Sequence, residues 1–277
     1  MSKVVFTGCS FTAGDGWAEM ADPDEGHNLE CKDHSDLWVN LCATQIDQLK
    51  DLEVVNLGKG GASNAEIFAN TVGAIGNFGA EIDTLICQWT SMPRYNFDVG
   101  FELWSTCEGL RRIKKSKNGV NLNRGNAWSR EYLDDILDRF LVLHHLHGEI
   151  VKVVEYSSIL QKLSQQLNIK LYNVNGMCPW DQNYFVKLSN TLPEEYTPFT
   201  KKEILNIESR NDEDIFKLYD IMHTDYTQAG GINPASWVNL YDSMEQTMLD
   251  TNYDNRHPGT KSNQLYFKQI KKFLETQ

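Results

Sequence analysis

Four short stretches of this 277-residue chain hold residues whose types and spacing could do chemistry. The first is Gly8-Cys9-Ser10-Phe11-Thr12-Ala13-Gly14. The second is Asn56-Leu57-Gly58-Lys59-Gly60-Gly61-Ala62-Ser63-Asn64. The third is Gln88-Trp89-Thr90-Ser91-Met92-Pro93-Arg94, and the last is Asp254-Asn255-Arg256-His257-Pro258-Gly259. A serine hydroxyl is a poor nucleophile until a base removes its proton. The His257 imidazole can take that proton and pass it to a leaving group. Asp254, three residues earlier, can hold the imidazole in one tautomer and stabilise its cation. Each fragment alone is weak, since a serine after a glycine is commonly a helix cap. The weight lies in their order and in where the chain must place them.

Placement follows from the periodicity. Residues 3–8 form a β-branched and aromatic run, the first expected strand. Apolar spacing predicts a helix over 37–49, a strand over 52–57 and a helix over 65–75 with Ser63 as its N-cap. Residues 82–89 are almost continuously apolar, as in a parallel strand covered on both faces. Further on, the pattern predicts helices over 129–147 and 149–167, strands over 169–174 and 236–240, and an amphipathic helix over 262–274. Residues 92–125 are irregular. Strands alternating with helices imply a parallel sheet with helices on both faces. Ligands of such folds sit outside the carboxyl ends of the strands. The first three stretches follow the first three strands, so all three converge on one sheet edge.

Here the chain resembles the SGNH (GDSL-like) hydrolases. The first block of that family is Gly-Asp-Ser with a threonine two residues later and then a glycine; Gly8, Ser10, Thr12 and Gly14 match, and Cys9 replaces the aspartate. Asn56, Gly61 and Ser63 fit the second block, and Asp254, His257 and Pro258 fit the last. The resemblance spans both ends of the chain; residues 92–253 match nothing specific. It implies a catalytic triad of Ser10, Asp254 and His257, with the backbone N–H groups of Ser10 and Gly61 facing the oxyanion. The third block departs from the family, which has Gly-x-Asn-Asp there, the asparagine completing the oxyanion hole. This chain has no asparagine in that stretch, and Gln88, Thr90 and Arg94 stand as alternative donors. Loss of one such donor costs roughly 100–1000-fold in rate.

The resemblance further implies a single three-layer α/β/α domain over 1–277. Its sheet is mainly parallel and five-stranded in the order 2-1-3-4-5, with insertions at about 92–128 and 176–235. The implied activity is hydrolysis of an O-acyl ester, of carbohydrate or lipid type, through an acyl-enzyme and without metal or organic cofactor. The alternative, motivated by the altered third block, is a weak or inactive relative serving as a binding or structural module, such as a virus-particle component, since the chain also resembles phage-type members of the family.

The remaining features are read as structural. Gly58-Lys59-Gly60-Gly61 lacks the full dinucleotide fingerprint, and the next strand ends in Gln88 rather than an acidic ribose ligand. His27, Cys31 and His34 are incidental to a polar loop, and His144, His145 and His147 suit the end of a helix; no metal site is expected. The basic run 111–115 is a solvated face, and the aromatics of residues 176–235 are local core or cleft lining. Six scattered cysteines without a CxxC pair, in a chain with no export signal, point to free thiols and a cytoplasmic location. A net charge of −12 argues against nucleic acid or an anionic membrane as partner. No stretch approaches the ~20 apolar residues of a membrane span. The expected partner is a small-molecule or glycan ester.

Overall fold

The structure, a computed structural model, describes residues 1–15, 35–90, 96–98, 103–105, 120–122, 126–128, 146–177, 236–239, 243–251 and 257–276. Its frame is a four-stranded parallel sheet of β1 (Lys3–Gly8), β2 (Glu53–Gly58), β3 (Ile82–Trp89) and β8 (Lys170–Asn175), in the order β2-β1-β3-β8. The helices are α1 (Ser10–Ala13), α2 (Trp38–Gln45), α3 (Asn64–Phe78), α4 (Leu146–Leu167) and α5 (Thr260–Leu274). Two small antiparallel hairpins, β4 (Asn96–Asp98) with β5 (Leu103–Ser105) and β6 (Val120–Leu122) with β7 (Asn126–Trp128), lie where the sequence looked irregular.

Side-chain parity shows why three layers form. Phe6, Ile86 and Tyr172 are neighbours across one face of the sheet. Trp38 of α2 packs edge-on against Phe6 at 5.5 Å between ring centres, and Phe273 of α5 meets Tyr172 at 5.9 Å. One residue along, Thr7, Cys87 and Asn173 form the opposite row. There Thr71 of α3 donates to Thr7 Oγ1 at 2.8 Å, and Trp89 on the same face stacks towards Tyr156 of α4. Strands β1 and β3 are buried almost throughout, as their continuous apolar runs required, whereas every residue of β2, at the sheet edge, is exposed or half-buried. Each large apolar side chain so buried contributes about 1.5–3 kcal/mol.

Three expectations need correction. The fifth strand over 236–240 is, among the described residues, a single parallel bridge of Trp237 to Asn173, with Val238 N–H donating to Asn173 O at 2.9 Å. It does not extend because Asn175 N–H is taken by the side chain of Asn239 at 2.8 Å, which replaces the next backbone rung. Among the described residues the sheet therefore has four strands, although Trp237 occupies the edge position expected of a fifth. The break expected between residues 147 and 149 is absent: α4 runs through Gly148 for 22 residues, and a glycine costs a helix of that length only ~1 kcal/mol. The helix expected over 37–49 ends at Gln45 and gives way to turns that lead into β2. Residues 129–145 and the bulk of the 176–235 insertion lie outside the described residues. Ser63 caps α3 as expected, accepting from Glu66 N–H at 3.2 Å. Among the described residues no helix is long and apolar enough to cross a membrane.

Candidate active site

The carboxyl ends of β1, β2 and β3 lead directly into the three stretches singled out in the sequence. Ser10 opens α1 immediately after β1 and is buried, at 3% exposure. One tight turn brings the chain round: Ala13 N–H donates to Cys9 O at 2.9 Å, and Gly14 N–H donates to Ser10 O at 3.0 Å. Gly14 closes it at φ 82°, a conformation that favours glycine. The turn packs so tightly on the end of β2 that a Cβ on Gly58 would collide with the backbone of Thr12 and Ala13. Asn56 fastens the same contact, donating from Nδ2 to Thr12 O at 2.8 Å and accepting from Gly58 N–H at 2.9 Å.

Gly61 lies in the loop after β2, in a turn closed by Ala62 N–H to Lys59 O at 3.1 Å. Its φ of 76° explains why glycine stands there. Among the described residues, the backbone N–H groups of Ser10 and Gly61 have no hydrogen-bond acceptor.

His257 lies just before α5, at the other end of the chain, yet its ring packs edge-on against Phe11, next to Ser10, at 6.1 Å between centres. The link is built from the indole and backbone N–H groups of Trp38 on α2 and the side-chain amide of Asn263 on α5. Trp38 Nε1 donates to Phe11 O at 3.0 Å, and Trp38 N–H donates to Asn263 Oδ1 at 3.1 Å. Asn263 in turn donates from Nδ2 towards Pro258 O at 3.1 Å and Gly259 O at 3.0 Å. The buried chain Phe11–Trp38–Asn263–Pro258 thus joins the serine turn to the histidine turn through the start of α2. Neither Trp38 nor Asn263 was singled out in the sequence, and neither sits in a recognisable motif.

The histidine turn has its own anchor. Thr251 and Pro258 form an antiparallel bridge, and Gly259 N–H donates to Asp250 O at 3.0 Å. The Asp250 carboxylate accepts from Lys261 N–H at 3.0 Å and from Ser262 N–H at 2.8 Å, with the Ser262 hydroxyl at 2.7 Å. Burial works against its ionisation, but these donors outweigh it and hold the carboxyl below the usual aspartate range. Asp254 itself, like Arg94, lies outside the described residues.

Of the third-stretch candidates, Gln88 and Thr90 are fully buried at the end of β3. Gln88 Oε1 accepts from the Thr12 hydroxyl, and Gln88 Nε2 donates to Cys9 Sγ at 3.4 Å. Thr90 exchanges two bonds with the Asn64 side chain: Thr90 N–H to Oδ1 at 2.8 Å, and Nδ2 to Thr90 O at 3.1 Å. Both residues thus bond to the scaffold around the serine. Cys9, Cys42 and Cys87 are free, buried thiols. Burial pushes the Cys87 thiol up to about 11, against hydrogen bonds from Thr7 and Thr71.

No family model matches the chain, and no curated protein does. Solved structures do align with it over nearly its whole length. TesA covers 99% of this chain and 99% of its own, at 13% identity and a TM-score of 0.44. The psychrotrophic esterase EstA from Pseudoalteromonas sp. covers 100% of this chain and 98% of its own, at 12% identity and a TM-score of 0.41. A member of the lipolytic protein G-D-S-L family from Veillonella parvula DSM 2008 covers 98% of this chain and 96% of its own, at 10% identity and a TM-score of 0.38.

Proposed function

We propose that this chain is a serine hydrolase of the SGNH (GDSL-like) type that cleaves an O-acyl ester of carbohydrate or lipid type. The observation that supports the reading is the packing of His257 against Phe11, the residue after Ser10, which brings an imidazole from one end of the sequence to the turn that carries a serine from the other. In the first step Ser10 Oγ forms a bond to the acyl carbon while its proton passes to His257. Negative charge gathers on the former carbonyl oxygen, and the N–H groups of Ser10 and Gly61 are the donors for it. The C–O bond to the alcohol then breaks, and the proton held by His257 goes to that leaving oxygen. Water, deprotonated by the same imidazole, attacks the acyl carbon; the bond from that carbon to Ser10 Oγ breaks, the imidazolium returns its proton to Oγ, and the acid leaves. Asp254 orients and stabilises the imidazolium in this scheme. No step calls for a metal or an organic cofactor.

The test is covalent capture by a fluorophosphonate. Wild-type protein should label, and Ser10→Ala and His257→Ala should not. Labelling that survives Ser10→Ala overturns the assignment. A second reading has one observation in its favour: the Gln88 side chain bonds to Cys9 and Thr12 and the Thr90 hydroxyl donates to Met177 Sδ at 3.6 Å, which leaves Arg94 as the remaining side-chain donor of the three candidates. In that reading the fold is a binding or virus-particle module without turnover. A wild-type protein that resists labelling but still binds an acylated glycan supports it.

A further inference from the structure

Gln88 reaches across the sheet end in a way that an oxyanion donor would not. It projects from the end of β3, the strand between β1 and β8, and its side chain is fully buried. Two glycines make the slot it occupies. A Cβ on Gly8, at the end of β1, would collide with the Gln88 side chain, and one on Gly176, just after β8, would collide with its amide. The amide then spans the serine turn on both sides. Its oxygen accepts from Thr12 Oγ1, two residues after Ser10, and its nitrogen donates to the thiol of Cys9, one residue before. The thiol also lies 3.7 Å from Oε1. Cys9 stands where the related motif has an aspartate, and a carboxylate there would offer Gln88 Nε2 an acceptor but would crowd Oε1 with like partial charge.

We propose that Gln88 is a positioning residue: it clasps the turn that carries Ser10, through Cys9 and Thr12, and so fixes the direction from which the serine hydroxyl attacks. This rests on the hydrolase reading for its catalytic consequence, but not for the clasp itself.

The experiment therefore reads both. Gln88→Met keeps the volume and removes both bonds; Gln88→Glu keeps the acceptor for Thr12; Thr12→Val removes the same bond from the other side. Amide hydrogen exchange at Ala13, Gly14 and Asp15 reports the turn, with the β1 to β3 ladder as the internal reference. Phosphonylation rate reports the nucleophile. In Gln88→Met the turn amides should exchange faster while the ladder does not. Its phosphonylation should slow by about 10–100-fold, the scale of a small misplacement of a reacting group. Gln88→Glu should recover most of the rate. Thr12→Val combined with Gln88→Met should add little to the loss from either alone. Unchanged exchange in Gln88→Met overturns the clasp. Faster exchange with a wild-type labelling rate overturns the positioning role. If wild-type protein never labels while Gln88→Met still loosens the turn, the clasp stands and the hydrolase reading falls.

Discussion

Asp250 shows how a single side chain can hold a functional turn without belonging to it. Its carboxylate takes the first N–H groups of α5, and its own carbonyl takes Gly259 N–H, two residues past His257. Because its pKa is depressed in the folded state, the charged form is the stabilising one. That contribution is present above the unfolded aspartate value, about 3.9, and is lost as pH falls through the lower folded value. Melting temperature should thus drop on the acid side below about pH 4. Asp250→Asn should melt lower than wild type at neutral pH and show a shallower acid fall; identical acid slopes would sink the argument. Asn263 is the second such residue. Its Oδ1 is the acceptor for the buried Trp38 N–H, so Asn263→Leu strands a donor at a cost of about 1–3 kcal/mol. Thermal melts should shift down by a few degrees, and phosphonylation should slow more than the stability loss alone accounts for, because the Pro258 and Gly259 carbonyls are released as well. Ser10 and His257 stand out in the sequence as candidates because their motifs are compact. Asn263 and Trp38 do not, because an amide that bonds across 225 residues leaves no local spacing to read.

The same contrast holds among the elements. Strands β1 and β3 were readable to within a residue, since burial on both faces forces an unbroken apolar run. The fifth strand was over-read, because the sequence 236–240 looks apolar enough while the Asn239 side chain, not the backbone, fills the next rung. Glycines separate two kinds of local constraint. Gly58 at the end of β2 faces the backbone of α1, where a Cβ would meet Thr12 C at 2.7 Å. Gly76, on the exposed side of α3, has nothing within 4 Å of that position. Gly58→Ala should therefore destabilise by about 1–3 kcal/mol, as overpacking does. Gly76→Ala should stabilise by up to about 1 kcal/mol through helix propensity. Denaturant midpoints of the two variants should move in opposite directions, and a loss in Gly76→Ala would show that α3 is constrained by something other than its own backbone.

At the scale of the whole molecule, the decisive event is the return of the C-terminal helix to the face of the sheet where the chain began. Sequence pattern supplied α5 as an amphipathic helix but not its seat, because amphipathicity states that a face is covered and not by what. The seat is set by Trp38 against Phe6 on β1, Phe273 against Tyr172 on β8, and Gln48 Nε2 donating to Leu274 O at 3.3 Å. Tyr266, Phe267, Ile270 and Leu274 of α5 are all buried, which at ordinary burial values amounts to about 6–12 kcal/mol. The net stability of a domain, typically about 5–15 kcal/mol, is a small difference between large opposing terms, so loss of that burial is enough to tip the balance. A chain ending at residue 259 should then fail to fold cooperatively, with loss of the sigmoidal thermal transition and of near-ultraviolet circular dichroism. Supplying residues 260–277 as a separate peptide should restore a transition whose midpoint rises with peptide concentration, because binding to the folded state alone stabilises by mass action. A truncated chain that melts as sharply as the full one would mean that the sheet closes without its C-terminal cover, and that His257 is held at Phe11 by the 243–259 segment alone.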